Sequence, residues 1–202
     1  GPGLGQQDIL TSSTKIKNVP LAGASEAWTP FTYTGGVLNS DGSDPSASDG
    51  IMLFETAGLD AKDTYVYSAK IHQTKMLADS IGLFVIFRFT DSSNYMTINF
   101  RESGALLIGK INGVETHTAS YLDYKLPKGA AEIDLTIVSA PETVTVYING
   151  QAAFKNQPVV KGADGNVLGA DVGFIKQYSS FTADGLTLYN TANRTIALDE
   201  NV

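Results

Sequence analysis

Glu132 and Asp134 stand two residues apart in AEIDLTIV, residues 131–138, a run in which apolar and polar types alternate. A strand turns alternate side chains to opposite faces, so both carboxylates share one face. Paired carboxyl groups are the machinery of glycoside hydrolysis. In the retaining mechanism one attacks the sugar and the other moves a proton, at a separation of ~5–5.5 Å. The residues that follow, Thr136 and Ile137, carry no carboxyl group. The run is also ordinary alternating strand sequence, and a non-catalytic protein is expected.

A second group of reactive side chains falls on neighbouring predicted strands. Alternation places Lys70 and His72 on the polar side of residues 64–72, Arg88 on that of 81–90, and Tyr95, Asn99 and Arg101 on that of 94–101. Lys176 and Tyr178 share a face of residues 172–178, together with Phe174. If these strands are neighbours, the outward set joins cations, amides and an aromatic ring, with Lys110 beside it. Such a face suits a glycan: a ring stacks on C–H faces, amides bridge hydroxyls, and arginine takes a carboxylate in bidentate fashion, as a uronate or sialic acid would offer. The alternative is a solvated sheet face laced with cross-strand charge pairs.

Asp41, Asp44 and Asp49 alternate with small residues in NSDGSDPSASDG, residues 39–50. Ca²⁺ takes several oxygen ligands, so this loop is a candidate for a structural Ca²⁺, and Asp171 and Asp184 are other candidates. The loop lacks the bidentate Glu and the register of an EF-hand, and a solvated loop is the competing reading. His72 and His117, the two histidines, form no metal-binding spacing. Trp28, the single tryptophan, suits either a sugar platform or a core anchor.

Bulk properties narrow the function further. The chain has 202 residues, enough for one all-β sandwich with a real core. Fourteen Lys and Arg against 21 Asp and Glu give a net charge of −7, which argues against nucleic acid. The absence of cysteine excludes disulfides, thiolate metal sites and cysteine nucleophiles. No apolar run approaches the ~20 residues that span a bilayer, so membrane insertion is not expected. Gly1-Pro2-Gly3 resembles a remnant of tag removal.

Turn signals recur every 8–12 residues or so, and helical periodicity is nearly absent. Strands are predicted at 64–72, 81–90, 94–101, 105–111, 131–138, 143–148, 151–154, 172–178 and 181–189. Ser92-Ser93, Ser103-Gly104, Asn112-Gly113 and Asn149-Gly150 supply turns, the Asn-Gly pairs because both residues tolerate positive φ. Residues 39–50 and 158–169 read as loops. One sandwich domain is expected over residues 4–190, with residues 191–202 as a tail or the start of a linker.

The order of these elements carries a resemblance. GLFVIFRFTDSSNYMTINFRESGALLIGKINGVETHTA (82–119), VTVYING (144–150) and VGFIKQYSSFTADGLTLYN (172–190) resemble the laminin-G-like branch of the concanavalin-A-like lectin/glucanase superfamily. Trp28 with Gly35-Gly36 resembles its opening strand. The resemblance implies an all-β, two-sheet antiparallel jelly-roll sandwich with a ligand at the concave sheet or rim loops. It also implies that Glu132-Ile133-Asp134 matches the first two acidic positions of the laminarinase-like glucanases, while Thr136 or Ile137 replaces the last Glu. The expected function is a non-catalytic carbohydrate-binding module of a secreted or surface bacterial glycosidase or adhesin. Its partner would be a glycan or polysaccharide. Two alternatives stay open: an adhesin or scaffold domain that binds a host or cell-surface protein, and a glycoside hydrolase with an unfamiliar site.

Overall fold

The structure is a computed structural model, and it describes residues 4–5, 8–20, 31–40, 50–78, 82–193 and 195–196. The described strands run in chain order as β1 (Leu4–Gly5), β2 (Ile16–Val19), β3 (Thr32–Thr34), β4 (Val37–Asn39), β5 (Gly50–Phe54), β6 (Tyr65–Met76), β7 (Leu83–Asp91), β8 (Asn94–Arg101), β9 (Gly104–Ile111), β10 (Val114–Tyr121), β11 (Ala131–Ser139), β12 (Thr143–Ile148), β13 (Gln151–Pro158), β14 (Gly173–Lys176), β15 (Ser179–Asn190) and β16 (Thr195–Ile196). Two antiparallel sheets of seven strands each make the sandwich. Sheet I has the order β10-β9-β8-β7-β14-β5-β2, and sheet II has β13-β12-β11-β6-β15-β4-β3. A short β1–β16 pair takes in part of the expected tail.

Alternation builds the core. Tyr65, Tyr67, Ala69 and Ile71 of β6 and Ile133, Leu135 and Ile137 of β11 face Val85 and Phe87 of β7 and Met96, Ile98 and Phe100 of β8 across the two sheets. Sheet I is apolar on its outer face as well. Ile51, Leu53, Phe84, Ile86, Ile108 and Ile175 form a second buried cluster there. The outer face of sheet II is polar, with Ser68, Lys70 and His72 of β6 between Glu132, Asp134 and Thr136 of β11 and Thr182, Asp184 and Thr187 of β15. The Asn-Gly turns form as expected, with φ of 49° at Asn112 and 81° at Gly113, and 51° at Asn149 and 78° at Gly150.

One irregularity changes the site. Between Ile86 and Arg88 the β7–β8 register slips: Ile86 pairs with Thr97, but Arg88 pairs with Met96. A bulge sets two residues against one and reverses every later side chain. Arg88 thus turns into the interior, and Phe89 turns outward to stack on Tyr95 at 5.8 Å between ring centroids.

Candidate functional site

The expected cationic face does not form, because its residues belong to different sheets and different sides. Lys70 and His72 lie on the outer face of sheet II, whereas Tyr95, Asn99 and Arg101 lie on that of sheet I. Asn99 is fully buried, donates to the Leu83 carbonyl at 3.1 Å and accepts from Arg101 Nε, so it has little left for a ligand. Tyr95 is nearly buried, with Lys110 Nζ 5.4 Å from its ring centre. Burial first, then the Glu115 charge, pushes the Tyr95 hydroxyl up to about 12. Lys176 shares the inward side with Phe174 and is fully buried. Tyr178 is exposed, in the left-handed region at φ 49°, at the end of the sandwich where β7 begins.

On sheet II, His72 bridges two acids. Its Nδ1 meets Glu132, and its Nε2 lies 3.0 Å from Asp184 Oδ2. Desolvation works against the imidazolium, but the hydrogen bonds to Glu132 and then Asp184 outweigh it and hold the His72 pKa above the usual histidine value. Asp134 sits opposite Lys70, and Ser68 donates to Thr136 at 3.3 Å. Glu132 and Asp134 do share a face, and Glu132 and Asp184 meet on one imidazole. Asp184 thus meets His72 through one carboxylate oxygen. Among the described residues, no group of three His, Asp or Glu is placed to hold a metal. Asp41, Asp44, Asp49 and Trp28 lie outside the described residues.

A cavity lies at the far end of β7. About 330 Å³ opens between the β7–β8 turn (Thr90, Asp91, Asn94), the β9–β10 turn (Asn112) and the loop that follows β13 (162–168, including Asp164 and Asn166). Each turn is locally fixed. Asp91 Oδ1 accepts from Ser93 N–H at 2.8 Å and from Asn94 Nδ2 at 2.9 Å. Asn94 Oδ1 accepts from Asn112 N–H at 2.9 Å, which ties the two turns together. Asp164 accepts from the backbone and side chain of Asn166 at 2.9 and 3.1 Å, and these bonds lower its pKa below the usual carboxylate value.

The loop is laced to the end of β7. Phe89 N–H donates to the Gly169 carbonyl, and Gly169 N–H donates to Thr90 Oγ1, both at 3.0 Å. Behind it, Arg88 donates to the carbonyls of Ala61 at 3.1 Å, Leu168 at 2.9 Å and Ala140 at 3.0 Å. Its guanidinium lies 5.4 Å from the Tyr65 ring centre. Desolvation lowers the Arg88 pKa, and Tyr65 counters it in part. The residue expected to touch ligand thus holds the wall of the cavity instead.

Sequence reasoning assigned none of the cavity residues to a site. A signal existed: in a meander the first and third turns share an end, which places Asp91–Asn94 beside Asn112. The contribution of residues 162–168 had no such mark.

What the arrangement offers is hydrogen bonding. Among the described residues, Asp91 Oδ2 and the Asn112 side chain take part in no hydrogen bond, and Thr90 keeps its hydroxyl proton for a ligand. None of the lining residues is aromatic.

This architecture recurs in solved structures. The chain is similar to the carbohydrate-binding module CBM66 from Bacillus subtilis, with a TM-score of 0.61 and 16% identity, over 87% of this chain and 96% of that one. The fold is the concanavalin-A-like sandwich. A second likeness is to the carbohydrate recognition domain of Emp46p in its potassium-bound form, with a TM-score of 0.58, 13% identity and coverage of 86% and 88%. A third is to a mutant Trypanosoma rangeli sialidase with trans-sialidase activity, with a TM-score of 0.54 and 11% identity. It involves 93% of this chain but 30% of that one. No protein-family model matches the chain, and no curated protein matches its sequence.

Proposed function

We propose that this chain is a non-catalytic carbohydrate-binding module whose ligand enters the rim cavity between Asp91, Asn112 and Asp164. The cavity carries the reading. Its volume suits one or two sugar residues, and its lining offers acceptors and donors that match hydroxyl groups. The names of two structural relatives, a carbohydrate-binding module and a carbohydrate recognition domain, agree with it. Binding is reversible, and it is modest because a shallow site must immobilise a flexible, well-hydrated ligand. The setting we propose is a secreted or surface-anchored bacterial glycosidase or adhesin, with glycan rather than nucleic acid as partner. A structural Ca²⁺ at Asp41, Asp44 and Asp49, or at Asp171 or Asp184, is part of the proposal; a melting temperature raised by Ca²⁺ and restored by chelator, with the shift lost when those aspartates are changed to Asn, supports it.

The test is a glycan array at neutral pH, with and without chelator, on the wild type and on Asn112→Ala. A hit weakened by the substitution supports the reading. A blank array with folded protein sinks it and favours a protein-binding adhesin domain. A reducing-sugar assay should show no turnover, and release of sugar that stops in Glu132→Gln would reverse the non-catalytic assignment.

A further inference from the structure

The charge of the rim cavity says which sugars enter it. Among the described residues, Asp91 and Asp164 line it, and no Lys, Arg or His does. The nearest cation in sequence, Lys161, is drawn to Glu142 at 3.3 Å. Arg88 lies behind the wall, and its donors are turned to the Ala61, Leu168 and Ala140 carbonyls. The hydrogen bonds from Asn166 favour the ionised form of Asp164. Among the described lining residues, an anionic ligand would therefore meet two negative charges and no counter-charge.

Resting on the carbohydrate reading above, we propose that the cavity selects neutral sugar residues and rejects uronates, sialic acids and sulfated sugars. Asp91 Oδ2 is the acceptor for a ligand hydroxyl, and Asn112 supplies an amide donor beside it. A carboxylate accepts a hydroxyl proton more strongly than a neutral group does. Two carboxylates about 5 Å from a ligand anion, in nearly aqueous surroundings, weaken its binding about tenfold or more. This reverses the acidic-sugar preference that the arginine-bearing face would have implied.

The experiment uses an array of neutral gluco-, manno-, galacto- and fructo-oligosaccharides beside uronate-, sialic acid- and sulfate-bearing ones. Titration of the strongest neutral and strongest acidic probes follows, on wild type, Asp91→Asn, Asp164→Asn and the double variant. These loop residues are exposed, and melting curves verify that each variant is folded. The expected result is neutral binding that falls about tenfold in Asp91→Asn and acidic binding that rises about tenfold in the double variant. Tighter acidic than neutral binding, weakened by Asn112→Ala, overturns the charge selection and leaves the cavity reading intact. Binding untouched at the cavity but lost in Lys70→Ala or His72→Ala overturns both and moves the site to sheet II. Equal binding of neutral and acidic probes, unchanged in the double variant, also overturns the selection.

Discussion

Arg88 carries its charge into the interior, and its three carbonyl partners come from three separate stretches of chain, at Ala61, Ala140 and Leu168. Arg88→Met would leave those buried and half-buried acceptors without their donor, at a cost on the order of 3 kcal/mol. Arg88→Lys would recover little, since a single ammonium cannot replace the planar fork. Urea denaturation reads the loss, and a stable Arg88→Met protein would show that the clamp is unimportant. His72 makes a smaller, pH-dependent contribution. Its folded pKa is raised by Glu132 and Asp184, so the stabilisation is fully present below the ordinary histidine value of about 6.5 and is lost as pH rises through the raised value. The groups facing it are Lys70 on its own strand, Glu132 and Asp134 on β11, and Thr182 and Asp184 on β15. The side chain is 38% exposed, so solvent screening limits the effect to about 0.5 kcal/mol. The melting difference between wild type and His72→Gln should be larger near pH 5.5 than near pH 8.5, and the opposite trend would refute the bridge.

The end of β7 and the loop after β13 act as one element, because two hydrogen bonds join them at Gly169, one to the Phe89 backbone and one to the Thr90 hydroxyl. A Cβ at Gly169 would come within 2.3 Å of the Phe89 carbonyl oxygen, which is backbone and cannot swing aside. Gly169→Ala should therefore push the loop off the strand, at about 1–3 kcal/mol, and weaken glycan binding. Hydrogen exchange would report faster amides at 162–169 while the β8–β9 ladder stays protected. Equal protection throughout would mean that the loop holds its place without this contact. The β7–β8 and β9–β10 turns need no such lacing, since each closes a hairpin whose ladder fixes it.

Taken whole, the molecule has a net charge of −7 and a cavity with two carboxylates. A neutral ligand forms no ion pair there. Its affinity should stay flat as salt rises from about 0.01 M to 1 M, although the Debye length falls from ~30 Å to ~3 Å. In a titration series, a steep rise with salt would point to an anionic ligand and a steep decline to a cationic one. The two sheets separate the site cleanly from the bulk of the fold: the cavity lies at one end, while the polar face with His72 and the turn at Tyr178 lie elsewhere.

Strand alternation, the core face of β6 and β8, and the Asn-Gly turns were legible in the residues, because each is a property of near neighbours in the chain. The apolar sets Tyr65, Tyr67, Ile71 and Met96, Ile98, Phe100 sit where period-two reasoning puts them. Tertiary structure alone decided which sheet each strand joins, and so it separated Lys70 and His72 from Tyr95, Asn99 and Arg101. It also decided the fate of Arg88. A bulge adds one residue without changing composition or pattern, yet it turned a cation expected on the surface into the clamp behind the cavity. The placing of Asp164 and Asn166 beside Asp91 rests on pairing between distant segments, and a loop's own sequence records its polarity but not its neighbour.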